Sequence, residues 1–238
     1  MKLYEEIIDT WGALLAPFPV RQLPVARPGW KDSGSRNMVL RSDMAFELGA
    51  EGQSALGATA VTAGGSRFSE DEILLCGPDL PEIRGNLPYA RLTVAAVKEG
   101  LPDQGSALYQ AIKKIDFVRY HVNPEGFMTR ISAIQNRESA RISRAALAEG
   151  LNFSRVGSRM LESYHENPQL LAVRLIYITE PAFPFALLAE TVRRDKEITA
   201  AIDHAMTASM TDCNVCSLKK VCDEVEGIRQ LHFGASPK

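Results

Sequence analysis

The first fifteen residues, MKLYEEIIDTWGALL, set Leu3, Ile7, Trp11 and Leu14 at helical spacing, with Glu5, Glu6 and Asp9 between them. This pattern predicts an amphipathic helix. The same acids stand where a signal peptide needs an apolar stretch, so no secretory leader is expected. The next stretch, APFPVRQLPVARPGW, is broken by prolines that deny it helix and central-strand roles, and it is expected to wrap over a surface. NMVLRSDMAFELGAEG reads as a short strand pair, or a strand and a turn. ALGATAVTA, DEILLCGPDL with its stop at Gly77-Pro78, and YARLTVAAV before Gly100 read as three further strands.

Beyond residue 103 the helical period dominates. QGSALYQAIKKI, residues 104–115, predicts one helix. Ser143 is placed to cap RAALAE, with Gly150 as its stop. Ser154 is placed to cap a second helix, in which Val156, Met160 and Tyr164 share a face. LLAVRLIYIT, residues 170–179, is a β-rich run bounded by Pro168 and Pro181. A long helix is expected from about 184 to 208, with Leu188, Val192, Asp195, Ile198, Ile202 and Met206 on its period. Strands and helices mix without a βαβ beat, which predicts an α+β fold with a mixed sheet and packed helices. Residues 1–208 are expected to form one domain, and residues 209–238 a short cysteine-containing tail appended to it.

Composition adds bounds. The chain has 238 residues, 45% hydrophobic and 24% charged, enough to build a core without disulfide staples. Its net charge of -2 gives no global field for nucleic acid or an anionic membrane. No apolar run approaches the roughly 20 residues that span a bilayer. A cytoplasmic protein with reduced thiols is expected, which favours metal ligation over disulfides.

The chemistry-bearing stretch is DCNVCSLKKVCDEVEG. Cys213, Cys216 and Cys222, three of the chain's four cysteines, fall within ten residues. A Cys-x2-Cys pair reaches one ion from a single turn, and a third thiol five residues on can close from the next. Iron–sulfur clusters are usually held by four thiolates, and structural zinc by four Cys or His ligands. The spacing points first to a [4Fe–4S] cluster, with zinc as the alternative. A fourth ligand could come from Cys76, from His232, or from a water, a small ligand or a partner. Cys76 taken alone reads better as a small buried hydrophobe.

A second feature is a run of arginines: Arg130, Arg137, Arg141, Arg144, Arg155 and Arg159. Nearby carboxylates in the sequence are few, Glu138 and Glu149. Guanidinium forks suit phosphates and carboxylates, and helix N-termini near Ser143 and Ser154 would add N–H donors. The belt therefore reads either as a coenzyme A-like anion or partner site on Arg137, Arg141, Arg144, Arg155 and Arg159, or as a solvated face with ordinary ion pairs. His121, His165, His204 and His232 do not cluster, and no GxGxxG, Walker, HExxH or GxSxG motif is present.

Several collinear stretches resemble the middle part of acetyl-CoA synthase, the β subunit of the carbon monoxide dehydrogenase/acetyl-CoA synthase complex. They are RSDMAFELG, EILLCGPDLPEI, LPYARLTV, RISRAALAEGLNFSRVGSRMLESY, AVRLIYITE and the RRD of the long helix. The resemblance implies an α+β fold for residues 20–205, and arginine-rich surfaces used for coenzyme A and partner contacts. Ser139 stands where the family has an aromatic before Arg141. The family's cluster uses a CxxC and two further, widely spaced cysteines; Cys213 and Cys216 match the pair, and Cys222 comes early. The domains that bind the dehydrogenase and complete the nickel site have no counterpart here. What the resemblance implies is a stand-alone iron–sulfur protein of anaerobic one-carbon or CoA-linked metabolism. It would act as an accessory, docking or electron-transfer subunit with a protein partner or in a homo-oligomer, without nickel chemistry.

Overall fold

YARLTVAAV is buried at every one of its nine positions, the mark of a strand covered on both faces. It is the middle of the sheet in a computed structural model that describes residues 2–64, 67–99, 105–132 and 137–207. The strands are β1 (Val20–Leu23), β2 (Met44–Leu48), β3 (Ala55–Ala63), β4 (Glu72–Cys76), β5 (Tyr89–Val97), β6 (Phe127–Ser132), β7 (Arg137–Ser143) and β8 (Leu170–Ile178). The α-helices are α1 (Lys2–Leu15), α2 (Gly105–His121), α3 (Arg144–Ala148), α4 (Phe153–Tyr164) and α5 (Phe185–Thr207). The sheet runs β1-β4-β8-β5-β3-β7-β2, and β6 pairs with β7 off that path. β3 and β5 pair in parallel, as do β4 and β8; the other ladders are antiparallel. The fold is α+β, a mixed eight-stranded sheet with packed helices.

The period of two along the strands divides the helices between the sheet's faces. Leu74, Val94 and Ile176 lie on one face, where Ile8, Trp11 and Leu15 of α1 cover them. Ile73, Thr93 and Tyr177 lie on the other, under α4: the Tyr164 hydroxyl is 3.3 Å from Thr93 Oγ1, and Tyr177 donates to Met160 Sδ. Tyr4, Ile7, Ile8, Trp11 and Leu15 form the buried stripe of α1. Trp11 Nε1 donates to Thr191 Oγ1 at 2.8 Å, and the Tyr4 hydroxyl meets Thr199 Oγ1 at 3.0 Å, so α1 and α5 are pinned at two places.

Two readings from sequence change. The cap of α4 is Asn152, whose side chain accepts the Arg155 N–H; Ser154 is buried inside the helix and donates to Pro24 O. Residues 127–143, which carry no clear period, contain the antiparallel pair β6 and β7. The proline-broken stretch does wrap the surface, and within it β1 joins the outer edge of β4, where a proline-flanked strand is tolerated.

β3 meets β7 in antiparallel register at Leu56↔Arg137, where the described part of β7 begins. α2 and α5 also reach the β3 backbone. Arg119 of α2 donates toward Gly57 O at 3.5 Å, and Thr59 N–H donates to Asp195 of α5 at 3.4 Å. Nearby, Arg91 and Glu138 form a two-pronged pair, Nε–Oε1 2.6 Å and Nη2–Oε2 2.9 Å, with both side chains 2% exposed. Arg91 Nη1 also donates to Thr93 Oγ1. Burial opposes the charge on Arg91, but the Glu138 carboxylate overcomes it and raises the guanidinium pKa above its ordinary range.

Gly57 is required here by close approach. A Cβ on it would lie 2.0 Å from Glu138 Oε2. Gly57→Ala therefore displaces the buried carboxylate and is expected to destabilise the fold by about 3 kcal/mol in urea unfolding. Gly12, exposed in α1 with nothing within 4 Å of its would-be Cβ, is the control. Gly12→Ala is expected to stabilise by about 0.5–1 kcal/mol.

Candidate functional site

Cys213, Cys216, Cys222 and His232 lie outside the described residues. α5 ends at Thr207, so the cysteine segment follows directly on the helix that α1 and β3 hold in place. Cys76, the fourth cysteine, ends β4 in the core and is 0% exposed. Its carbonyl accepts the N–H groups of Thr179 and Glu180 at 2.9 and 3.1 Å. Burial, with the Glu180 charge behind it, pushes the thiol up to about 11. This surrounding favours the neutral thiol, in keeping with Cys76 as a small buried hydrophobe. Among the described residues no group of three or more His, Cys, Asp or Glu side chains is placed to hold a metal ion.

The arginine belt divides into two groups, each engaged by this chain. Arg137 at the start of β7 clamps the turn after β2, donating to the carbonyls of Gly49, Ala50 and Gln53. Arg141 pairs with Glu47 at 3.3 Å, and Arg130 shares that carboxylate at 3.4 Å. Arg144 reaches the carbonyls of Ser42 and Met44 at 3.3 and 3.2 Å. On α4, Arg155 donates to Glu149 O and lies 5.1 Å from the Trp30 ring centroid. Arg159 meets Asp32 at 3.4 Å and Glu162 at 3.0 Å.

The apparent shortage of carboxylates along the belt is therefore local to the sequence. Glu138 faces Arg91, Glu149 faces Lys31, and the belt's counter-charges arrive from Glu47 and Asp32, far away in the chain. The helix N-termini are likewise filled. Ser143 does cap α3, accepting from Ala146 N at 3.0 Å, and Asp43 takes the Ala145 N–H at 3.1 Å and the Ser143 hydroxyl. At α4 the anion position belongs to Asp79, which accepts from Phe153 N at 2.9 Å and Leu80 N at 2.7 Å. Burial raises the Asp79 pKa, and those two N–H groups pull against the rise.

A cavity of about 390 Å³ opens beneath α1, lined by Trp11, Leu15, Phe18, Leu74 and Ile176, with Arg174 as its one charged wall. Arg174 Nε is bonded to Glu72, so no convergent set of polar groups faces this space. Sequence reasoning names Glu138 and Asp195 without joining them, and passes over Arg91, Asp116 and Arg119, which the fold brings near them. Their signal is a lone charge inside an apolar pattern, Arg91 within YARLTVAAV and Asp195 within the inward stripe of α5.

Comparison of the sequence with models of known protein families and with curated proteins finds no match. No helix among the described residues is long and apolar enough to cross a membrane.

The partners of Arg137 set a test of the belt's structural share. Arg137→Ala leaves three backbone carbonyls without their donor and is expected to cost about 2 kcal/mol in urea unfolding. Arg144→Ala, at an exposed position, is expected to cost no more than about 0.5 kcal/mol.

Proposed function

We propose that the chain is an iron–sulfur protein related to the acetyl-CoA synthase β subunit, its cluster held on Cys213, Cys216 and Cys222. In this reading it serves as an accessory, docking or electron-transfer subunit of a cytoplasmic complex in anaerobic one-carbon or CoA-linked metabolism. The single observation that carries the reading is the x2/x5 spacing of three thiols on one short segment. The fourth position would be taken by Cys76, by His232, or by a partner or small ligand; Cys76 is buried at the end of β4. A [4Fe–4S] cluster supplies one-electron transfer when bound. The chain's own part is to hold the thiolates beyond the end of α5 and to anchor that helix on the sheet.

The belt as a coenzyme A or phosphate site is the weaker reading, because its guanidinium groups already meet carboxylates and carbonyls of this chain. Zinc on the same thiols is separated from iron by analysis of the metal. Anaerobic purification is expected to yield a brown protein with about four iron and four acid-labile sulfide per chain. Cys216→Ser is expected to lose most of both. A colourless chain with zinc and no sulfide would establish the zinc-stapled alternative, and a chain with neither metal would reject both.

A further inference from the structure

α5 turns an almost wholly apolar stripe inward: Leu188, Val192 and Ile198 are each at most 2% exposed. Asp195 interrupts it at 3% exposure. Among the described residues its Oδ2 accepts a long bond from Thr59 N at 3.4 Å, and its Oδ1 has no hydrogen-bond partner. The charged and titratable groups found about it there come from three helices. From α1 comes the Tyr4 hydroxyl, which bonds Thr199 one turn farther along α5. From α2 come Asp116 and Arg119, which pair with each other at 3.0 Å, and Arg119 turns its far side toward Glu138 of β7. From α5 itself comes Lys196, and Glu5 on α1 is engaged farther off with Thr62 and Arg67. Arg119 is thus divided between two other carboxylates. A buried carboxylate so poorly paired favours its neutral form.

We propose that Asp195 is a proton-operated latch: α5 packs fully against α1 and β3 while the Asp195 carboxyl carries its proton, and loosens when the proton is lost to solvent. Protonated, the side chain holds the Thr59 N–H of β3 and buries no charge. Ionised, it sets a charge beside Asp116 inside an apolar seam. In the sequence the cysteine segment comes after α5.

Burial, then the Asp116 charge, pushes the Asp195 carboxyl up to about 8, against Thr59 N–H, Arg119 and Lys196. A folded-state pKa raised above the unfolded one means that the folded state binds the proton more tightly. Stability is therefore lost as pH rises toward 8 and levels off above it.

Hydrogen exchange on the full chain tests this. Normalised protection of α5 amides is expected to fall by about tenfold per pH unit between 6 and 8, then level, while β5 amides change far less. In Asp195→Asn the α5 protection is expected to be flat with pH, and its melting temperature to exceed the parent's by several degrees at pH 8 but not at pH 5. Flat α5 protection in the parent chain would overturn the latch, and so would a pH response that persists in Asp195→Asn. Should the Asn variant fail to fold, the parent chain alone decides.

Discussion

The ion pair between Arg91 and Glu138 is the constraint around which the sheet is arranged. It is almost fully buried, two-pronged and completed by Thr93, so both charges have the partners that burial demands. It also joins β5 of the central ladder to β7 of the outlying hairpin, beside the Leu56↔Arg137 pair of β3 and β7. Removing either partner would leave the other charge stranded in the core. The small residue at Gly57 follows from the space that Glu138 occupies, and a second cation, Arg119, reaches both Gly57 O and Glu138.

The helices are placed by contacts in the same region. α2 and α5 each meet the β3 backbone with one polar side chain. α1 then locks α5 from the opposite side through Trp11 and Tyr4. α5 is thus held by a few polar contacts on a largely apolar seam.

Much of the ladder is legible from the sequence. β3 matches the run ALGATAVTA residue for residue, β5 matches YARLTVAAV, and β8 falls one residue short of the 170–179 run. These strands are buried and their apolar runs are uninterrupted by turn residues. β6 and β7 escape because FMTRIS and RESARIS carry arginine and serine on one face, hiding a period of two behind a composition that resembles a surface. The cap of α4 misleads for a local reason, two suitable cap residues standing two apart, Asn152 and Ser154. Of the belt's carboxylate partners, Glu162 is local to Arg159 on α4, but Glu47 and Asp32 lie about a hundred residues away in the chain and only the fold brings them in. The cysteine segment stands as the sequence presents it, beyond the described residues.

The most direct test of the account is a double-mutant cycle at the buried ion pair, with Arg91→Met, Glu138→Leu and the two combined, followed by urea unfolding. Each single variant strands a buried charge and is expected to lose about 3–5 kcal/mol, while the double variant is more stable than either single one. Losses that simply add in the double variant would contradict the claim that this pair organises the sheet.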